Sequence, residues 1–450
     1  MYKTMTNEDF LNVAAKIKEI ISGSRFEGHV FFVGGCCRDM VLGHPIKDID
    51  IVVDLPNGGI HFAEWLDENK LLVHKPVVYP VYSTAMFTLS AFPDIELEAV
   101  QTRKEMYTDP TNRNPVTAYG TIKEDCYRRD FTTNTLYMDM DGNIIDITGI
   151  GFSDIKNGII RTPLEPNETF CDDPLRILRA IRFASRYNWK IDSKTMAGMK
   201  LNTERLNIIS RERIAEELKK MLSCEHPCYA LEKIFEIGAV KHIFGMYDKP
   251  YGEISKAENN FSNAINDLKI HETTDWLFNY TLILMGTFVS MLEIEDAIKA
   301  LRLSNEERNY ITYIRNATYR LCEMEIKFNR EGEADSQNPA YNAAYRKFIR
   351  SCKSEKILVD SVFIHDTYIA PDNARKQFFD DLIKSDKEKF DINWFAYQLP
   401  VDGNDVMSVM NVKPGKIIRT ALDDLMDNVY SNPSLSREDM LEILINYNKQ

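Results

Sequence analysis

Residues 33–53 read VGGCCRDMVLGHPIKDIDIVV, and this stretch decides the fold at the front of the chain. The pattern predicts a strand that ends at Gly34 and Gly35, followed at once by a helix that begins near Cys36. Two glycines let backbone amides approach a ligand closely, and the helix directs its positive end to the same point. Arg38, in the first turn of that helix, adds a positive charge suited to a phosphate.

The same stretch carries two carboxylates. Asp48 and Asp50 lie two residues apart on the next predicted strand, so both side chains project from one face. Paired carboxylates beside a phosphate-binding turn are what a Mg²⁺ site for phosphoryl transfer requires. Taken alone, the glycine pair is explained by a simple turn and the aspartate pair by a solvated strand end. Their grouping within 17 residues favours a Mg²⁺ and phosphate site.

A second cluster lies about eighty residues further on. The adjacent Arg128 and Arg129 suit a triphosphate, and Asp130 and Asn134 are spaced one helical turn apart, within reach of ribose hydroxyls. As isolated residues they are equally compatible with a capped helix start and a solvated group of charges.

The third cluster is an arginine stripe on a helix predicted to start at Pro174. The stripe is formed by Arg176, Arg179, Arg182 and Arg186. Apolar side chains on the opposite side of the helix, among them Ile177 and Ile181, are predicted to pack in a core. A solvated face usually mixes signs of charge, whereas every charge in this arc is an arginine.

The rest of the chain defines the architecture. Of 450 residues, 44% are hydrophobic and 27% charged, the mix of a globular protein. Helical periodicity at 8–21 and short β-branched runs fill the first 150 residues, and long helical patterns take over beyond Cys171. We therefore predict an α+β fold, with a mixed-sheet head followed by an all-helical rear. The predicted strands are 29–33, 49–53, 77–87, 95–100, 136–140 and 144–147.

In order and spacing, these motifs resemble those of the class II CCA-adding tRNA nucleotidyltransferases and their poly(A) polymerase relatives. The resembling motifs are Gly-Gly-x-x-Arg-Asp with Asp-x-Asp, Arg-Arg-Asp-Phe-Thr-x-Asn, and Asp-Asp-x-x-Arg with Arg-Phe-Ala. Strong resemblance covers roughly residues 28–220. It is weaker near the end, where residues 401–407 and Lys413-Pro414-Gly415 are similar to the tail of CCA-adding members.

The resemblance implies a seahorse-shaped protein that adds C, C and A to the 3′ end of tRNA from CTP and ATP, releasing pyrophosphate by a two-metal mechanism. The implied domains are a nucleotidyltransferase head (1–150), a neck with the nucleotide-selection site (151–225), a helical body (226–330) and a tRNA-binding tail (331–450). Poly(A) polymerases and enzymes that add only CC or only A are the alternatives. A non-catalytic RNA-binding relative is a further alternative, which the intact Asp48 and Asp50 oppose.

Residue roles follow from the same resemblance. Asp48 and Asp50 are expected to hold Mg²⁺ and activate the primer hydroxyl, and Glu98 is the candidate third carboxylate, with Glu96 on the same strand face as its alternative. The predicted nucleotide-binding residues are Gly34, Gly35, Arg38, Arg128, Arg129, Asp130, Asn134, Asp173, Arg176, Arg179 and Arg182. A flexible loop around residues 103–114 is expected to bear on which nucleotides are added.

The choice of base is predicted from hydrogen-bond chemistry. Cytosine and adenine both present an amino donor beside a ring-nitrogen acceptor, whereas uracil and guanine present a carbonyl in place of the amino group. A carboxylate and a guanidinium one helical turn apart match the hydrogen-bonding groups of cytosine and adenine and repel those of uracil and guanine. We therefore expect Asp173 to accept from the amino group and Arg176 to donate to the ring nitrogen.

Charge and cysteine content bear on partners and compartment. The net charge of -13 argues against a nucleic-acid partner at first sight, but residues 171–220 hold 12 Lys and Arg against 7 Asp and Glu. The basic residues are thus concentrated near the junction of head and neck. Eight scattered cysteines predict a reducing compartment, and we expect a cytoplasmic protein.

Three features are interpreted as structural. The 17-residue apolar stretch at 276–292 is too short to span a bilayer, so a buried helix and no membrane partner are expected. Cys224, His226 and Cys228 supply only three ligands and predict helix packing. His365-Asp366 stands apart from other histidines, so no phosphohydrolase site is expected.

Overall fold

A computed structural model describes residues 4–106, 116–246, 248–271, 273–288, 290–331, 338–372 and 374–447. The chain forms two compact units, Met1–Glu258 with Ala300–Arg302 and Asn259–Lys299 with Leu303–Gln450. The predicted α+β class is confirmed, because the first unit contains a mixed sheet and the second is built from helices. The division into four domains stays a prediction.

Within the described residues, the first unit is organised around a seven-stranded sheet of order β3-β4-β5-β2-β1-β8-β9. Strands β2 and β5 are parallel, and the other neighbouring strands run antiparallel. The pairs β6–β7 and β10–β11 form two small separate sheets. The strands are β1 (Val30–Val33), β2 (Ile49–Val53), β3 (Val77–Tyr79), β4 (Thr84–Thr88), β5 (Glu96–Gln101), β6 (Arg103–Met106), β7 (Val116–Tyr119), β8 (Leu136–Met138), β9 (Ile144–Asp146), β10 (Ile159–Ile160) and β11 (Lys190–Ile191).

Helices cover the sheet and form the whole of the second unit. The first eleven are α1 (Asn7–Ile21), α2 (Gly35–Leu42), α3 (Gly58–Glu68), α4 (Ile122–Tyr127), α5 (Gly151–Asn157), α6 (Pro166–Asp172), α7 (Leu175–Tyr187), α8 (Ser193–Asn202), α9 (Arg211–Leu222), α10 (Pro227–Glu236) and α11 (Val240–Ile243). They are followed by α12 (Tyr251–Leu268), α13 (Trp276–Thr287), α14 (Met291–Ala300), α15 (Asn305–Glu331), α16 (Pro339–Ser351), α17 (Glu355–Tyr368), α18 (Arg375–Phe390), α19 (Gly403–Met410), α20 (Lys416–Ser431) and α21 (Arg437–Tyr447).

The centre of the sheet is held by close packing of α3. A Cβ atom added to Gly59 would lie 2.4 Å from the carbonyl oxygen of Ala99 on β5, so the helix approaches the strand as only glycine permits. On the same side of the sheet, Phe10, Phe32 and Phe62 are fully buried in one apolar core. This packing fixes β5 beside β2, the two strands that carry the predicted carboxylates.

Several predicted boundaries were wrong. The single strand predicted at 77–87 is the hairpin β3–β4, interrupted by the short 3₁₀ turn Pro80–Tyr82, because proline cannot donate to the strand ladder. Helix α7 begins at Leu175, one residue after Pro174. Asp48 lies just before β2 rather than on it. Of the predicted flexible loop, residues 103–106 form β6, and residues 107–114 lie outside the described residues.

In the second unit, the predicted buried helix is confirmed. Helix α13 is capped by Asp275, whose carboxylate accepts from the amides of Leu277 and Phe278. Side chains on all its faces are buried, including Leu282 and Ile283. Among the described residues, none of the helices combines the length and apolarity needed to cross a bilayer.

Residues 329–340 are polar and include Gly332 and Pro339, a composition that predicts a loop or linker. Helix α15 extends to Glu331 and α16 begins at Pro339, so both ends of the predicted linker are helical. Residues 332–337 lie outside the described part of the chain.

Candidate active site

The predicted carboxylates meet where β2 and β5 run side by side. Asp50 is the register partner of Glu98 across the parallel pair, and Asp48 precedes β2 at the same end. Asp48, Asp50, Glu96 and Glu98 together line one cavity. Only the Asp50 and Glu98 pair also lines a second cavity described below, which favours Glu98 over Glu96 as the third carboxylate.

These carboxylates disfavour one another's charge. Burial raises the pKa of Asp50 to about 6, with further contributions from Glu98 and Asp48 and an opposing one from Arg129. Burial and the neighbouring Glu96 also raise the pKa of Glu98. Oxygen donors of this kind fit a hard divalent cation, although no ready-made cluster of three or more His, Cys, Asp or Glu ligands occurs among the described residues.

The second cavity joins the carboxylates to a group of arginines. Asp50 and Glu98 line it from one side, and Arg103, Arg128 and Arg129 also line it. Carboxylates and guanidinium groups therefore face a common space, which is the arrangement that phosphoryl transfer requires.

The glycine turn before α2 borders Arg129. Gly34 has φ of 77°, a conformation that favours glycine, and a Cβ at this position would lie 3.4 Å from Nη1 of Arg129. Gly35 opens helix α2, as predicted. The turn thus leaves room for the guanidinium beside the amides that begin the helix.

Four of the predicted nucleotide-binding side chains form a chain of hydrogen bonds. Nη1 of Arg38 donates to Oδ1 of Asn134 at 2.6 Å, and Nδ2 of Asn134 donates to Oδ1 of Asp130 at 2.9 Å. Oδ2 of Asp130 accepts from Nε and Nη2 of Arg179 at 2.9 and 2.7 Å. Although burial opposes it, Arg179 and Asn134 lower the pKa of Asp130 to about 2. The chain ties α2 and the turn after Asp130 to α7.

The arginine stripe on α7 faces carboxylates and carbonyls of the protein. Nη2 of Arg176 donates to the carbonyl of Arg128 at 2.7 Å, and Nε of Arg182 donates to Glu217 of α9 at 2.6 Å. Asp173 lies 3.7 Å from Arg213 and accepts from the amide of Leu175. Asp173 and Arg176 are therefore close in the chain but hold different partners.

Sequence reasoning missed Asp125, Tyr137 and Glu105, which contact the predicted arginines. Asp125 is fully buried on α4 and accepts from both Arg128 and Arg129. A signal was available, since Asp125 precedes the two arginines by three and four residues, the spacing of side chains that meet on a helix. Glu105 contacts Arg128 from β6 across 23 residues, for which the sequence offers no periodic signal.

The Cys224 region packs against neighbouring helices. Sγ of Cys224 lies 2.9 Å from the hydroxyl of Ser185 on α7. His226 directly precedes α10, whose first residue is Pro227. These contacts agree with the predicted helix packing.

Comparison with known proteins identifies the family. A family model described as the poly A polymerase head domain matches residues 30–161, and one described as a probable RNA and SrmB-binding site of polymerase A matches residues 188–249. The CCA-adding enzyme of Ligilactobacillus salivarius is 30% identical over 436 residues, covering 96% of each chain. The chain belongs to the CCA-adding tRNA nucleotidyltransferases of the poly(A) polymerase family.

Other relatives and solved structures of this family agree. The tRNA nucleotidyltransferase cca1 of Schizosaccharomyces pombe is 28% identical over 97% of this chain and 94% of its own. The CCA-adding enzyme of Bacillus stearothermophilus in complex with CTP superposes with a TM-score of 0.68 at 21% identity, covering 98% of both chains. The Thermotoga maritima CCA-adding enzyme complexed with tRNA gives a TM-score of 0.65 at 22% identity over the full length of both. The fold of these structures thus extends well beyond residues 28–220, over which the motifs strongly resemble the family.

Proposed function

We propose that this chain adds C, C and A in turn to the 3′ end of tRNA from CTP and ATP, without a nucleic-acid template and with release of pyrophosphate. The observation that carries the proposal is the cavity in which Asp50 and Glu98 face Arg129. In-line attack on an α-phosphate needs carboxylates near the reacting atoms and positive charge at the triphosphate. Family membership and the relatives named for CCA addition support the choice of tRNA, CTP and ATP.

The nucleotidyltransferase family depends on divalent metal ions, and we infer Mg²⁺ here. Asp48 and Asp50 would hold it, with Glu98 as the third carboxylate, and the raised pKa of Asp50 agrees with a group that a cation would stabilise. When bound in a two-metal arrangement, Mg²⁺ supplies charge neutralisation at the α-phosphate and activation of the attacking hydroxyl.

The chain's own residues bind and orient the substrates. The amides that open α2 after Gly34 and Gly35, with Nη1 of Arg129, hold the triphosphate. Asp130 and Asn134 bind the ribose hydroxyls, and hydrogen bonds from Arg38 and Arg179 hold these two side chains in place. Arg182, bound to Glu217, supports α7 beneath the nucleotide.

Base selection is assigned to Asp173 and Arg176. Among the described residues, Oδ2 of Asp173 is engaged by one long contact of 3.7 Å to Arg213, which leaves this oxygen available to the amino group of cytosine or adenine. Nη2 of Arg176 is held by the carbonyl of Arg128, which orients its guanidinium.

One incubation series tests the function. Purified protein and Mg²⁺ are mixed with tRNA transcripts that end before, within or just short of CCA, with labelled CTP and ATP supplied separately and together. Addition that stops at CCA is the expected result. Long A tails would indicate a poly(A) polymerase, addition of only CC or only A a specialised enzyme, and no addition a non-catalytic RNA-binding protein.

The cellular location is a separate question. We infer a cytoplasmic enzyme, although curated relatives include enzymes named as mitochondrial from Saccharomyces cerevisiae and Candida glabrata. Fractionation of cells that express the tagged chain would decide between these compartments.

A further inference from the structure

A buried carboxylate behind the cavity makes an unusually complete set of hydrogen bonds. Asp125 has no exposed surface and lies on the short helix α4. Its Oδ1 accepts from Nε and Nη2 of Arg128 at 3.0 and 2.6 Å and from the amide of Arg103 at 3.2 Å. Its Oδ2 accepts from Nε and Nη2 of Arg129 at 3.2 and 2.8 Å and from the hydroxyl of Tyr137 at 2.7 Å.

These bonds give the two adjacent arginines different orientations. Arg128 is fully engaged, because its remaining Nη1 donates to Glu105 at 3.0 Å. Arg129 uses Nε and Nη2 on Asp125, and within the described residues no hydrogen bond engages its Nη1. That nitrogen is the one that borders Gly34 at the turn before α2.

The charge balance explains why a single carboxylate can hold both groups. Two neighbouring guanidinium ions repel each other, and burial increases the energy of that repulsion. Although burial opposes it, Arg129 and Arg128 hold the pKa of Asp125 well below its ordinary value, so the carboxylate is charged. Within the part of the chain that the structure describes, neither arginine has another carboxylate that binds Nε and Nη2 together.

We propose that Asp125 is a positioning residue for nucleotide binding: it orients Arg129 so that Nη1 points to the glycine turn, and it restrains Arg128 as a structural support. The inference rests on the proposed function, because the triphosphate is the ligand that Nη1 would meet. In this proposal Arg129 binds the triphosphate. Arg128 has a structural role: its side chain binds the carbonyl of Arg103 on β6, and its own carbonyl accepts from Arg176.

The test is steady-state kinetics of Asp125→Asn on a transcript that lacks CCA. Loss of the charged acceptor should raise KM for CTP and ATP alike by roughly tenfold or more, the usual consequence of losing a charged hydrogen bond. KM for the transcript should stay within about twofold, since the primer contacts are elsewhere. Thermal melting and circular dichroism establish that the variant is folded.

Asp386→Asn is the matched control for a merely structural role. Asp386 is likewise buried and accepts from Nε and Nη2 of Arg346 and from the indole of Trp394, all within the second unit. Its loss should lower the melting temperature and leave KM for CTP and ATP unchanged. The contrast between the two variants separates nucleotide positioning from stability.

The outcomes are distinguishable. If the parent protein adds neither C nor A, the proposed function fails. If the parent is active and folded Asp125→Asn keeps the parent KM for both nucleotides, the positioning role is overturned. If Asp125→Asn does not fold, Tyr137→Phe decides, because it removes one hydrogen bond to the same carboxylate oxygen: a severalfold rise in both KM values supports the role, and unchanged values overturn it.

Discussion

Asp50 is half-buried in the central strand β2 and pairs in register with Glu98 on β5, with Asp48 close by. Replacing Asp50 by Asn removes one of three crowded negative charges. We expect Asp50→Asn to abolish nucleotide incorporation and to stabilise the metal-free protein by about 1–3 kcal/mol, because it removes a charge that burial and, to a lesser extent, the neighbouring carboxylates disfavour. Labelled CTP incorporation and thermal melting in a chelator measure the two effects.

Glu98→Gln and Glu96→Gln form a matched pair for this prediction, since both carboxylates lie on the same face of β5. Only Glu98 is in register with Asp50, so Glu98→Gln should lose far more activity. Equal losses would mean that register does not define the third carboxylate. Residual incorporation by Asp50→Asn close to the parent rate would contradict the assignment of Asp50 itself.

A second residue-scale prediction concerns base choice at Asp173. Removal of its carboxylate by Asp173→Ala should relax discrimination against UTP by roughly 10- to 100-fold, because a buried carboxylate facing a carbonyl costs about 1–3 kcal/mol. Asp48→Ala, in contrast, should abolish incorporation of every nucleotide. Competition between labelled UTP and CTP measures the ratio, and full retention of selectivity in Asp173→Ala would refute the base-reading assignment.

At the scale of elements, the ion pair between Asp130 and Arg179 joins the turn after α4 to helix α7. The pKa of Asp130 is lowered from 3.8 to about 2. The ion pair therefore stabilises the fold fully at pH values above the pKa of the unfolded chain, and this contribution is lost as the pH falls through the pKa of the folded protein. We expect Asp130→Asn to cost about 2 kcal/mol at pH 7. Denaturant unfolding of parent and variant should show this difference unchanged down to about pH 4 and shrinking below it.

An Asp154→Asn variant serves as the control for that experiment. Asp154 is also buried and accepts from Arg161 and from Thr132 in the same turn, but it makes no ion pair to α7 among the described residues. Weaker nucleotide binding should accompany the stability loss only in Asp130→Asn. A pH-independent difference between parent and Asp130→Asn would mean that the carboxylate is not ionised in the fold.

The elements show where sequence patterns suffice and where they do not. Continuous β-branched runs predicted β1 and β2 within a residue, since burial on both faces selects them. The spacing of the arginines on α7 was also correct, but their carboxylate partners Asp130 and Glu217 lie 49 and 35 residues away, and no local pattern reports such pairs. The stripe therefore resembled a ligand-facing surface although Arg176, Arg179 and Arg182 bind the protein's own groups.

For the whole molecule, this pairing changes the expected contact with tRNA. Residues 171–220 carry an excess of basic groups in a chain of net charge -13, but Arg179 and Arg182 are neutralised internally. The exposed cations of this segment are Arg186, Lys190, Lys194, Lys200 and Lys220. We expect the logarithm of tRNA affinity to fall with that of salt concentration with a slope of about -2 to -4.

Filter binding of tRNA between low and physiological salt measures that slope. Lys190→Ala should reduce its magnitude by about one, whereas Lys299→Ala, at an exposed lysine of α14 in the second unit, serves as a comparison outside the predicted tRNA-binding tail. A slope steeper than about -6 would require many more phosphate contacts than this segment can supply.

The order of strands in the sheet has a consequence for how the protein acquires its structure. Strand β1 lies between β2 and β8, and its Phe32 pairs with Met138, more than a hundred residues later in the chain. Contacts between segments so far apart in the sequence form slowly, whereas helices of the second unit contact helices that are nearer to them in the sequence. On the ribosome, the pair β2–β5 can align early, but the sheet that buries it is complete only after β8 and β9 have emerged. We therefore expect the carboxylate cavity to be completed only after residue 146 has emerged, so that shorter nascent chains lack it.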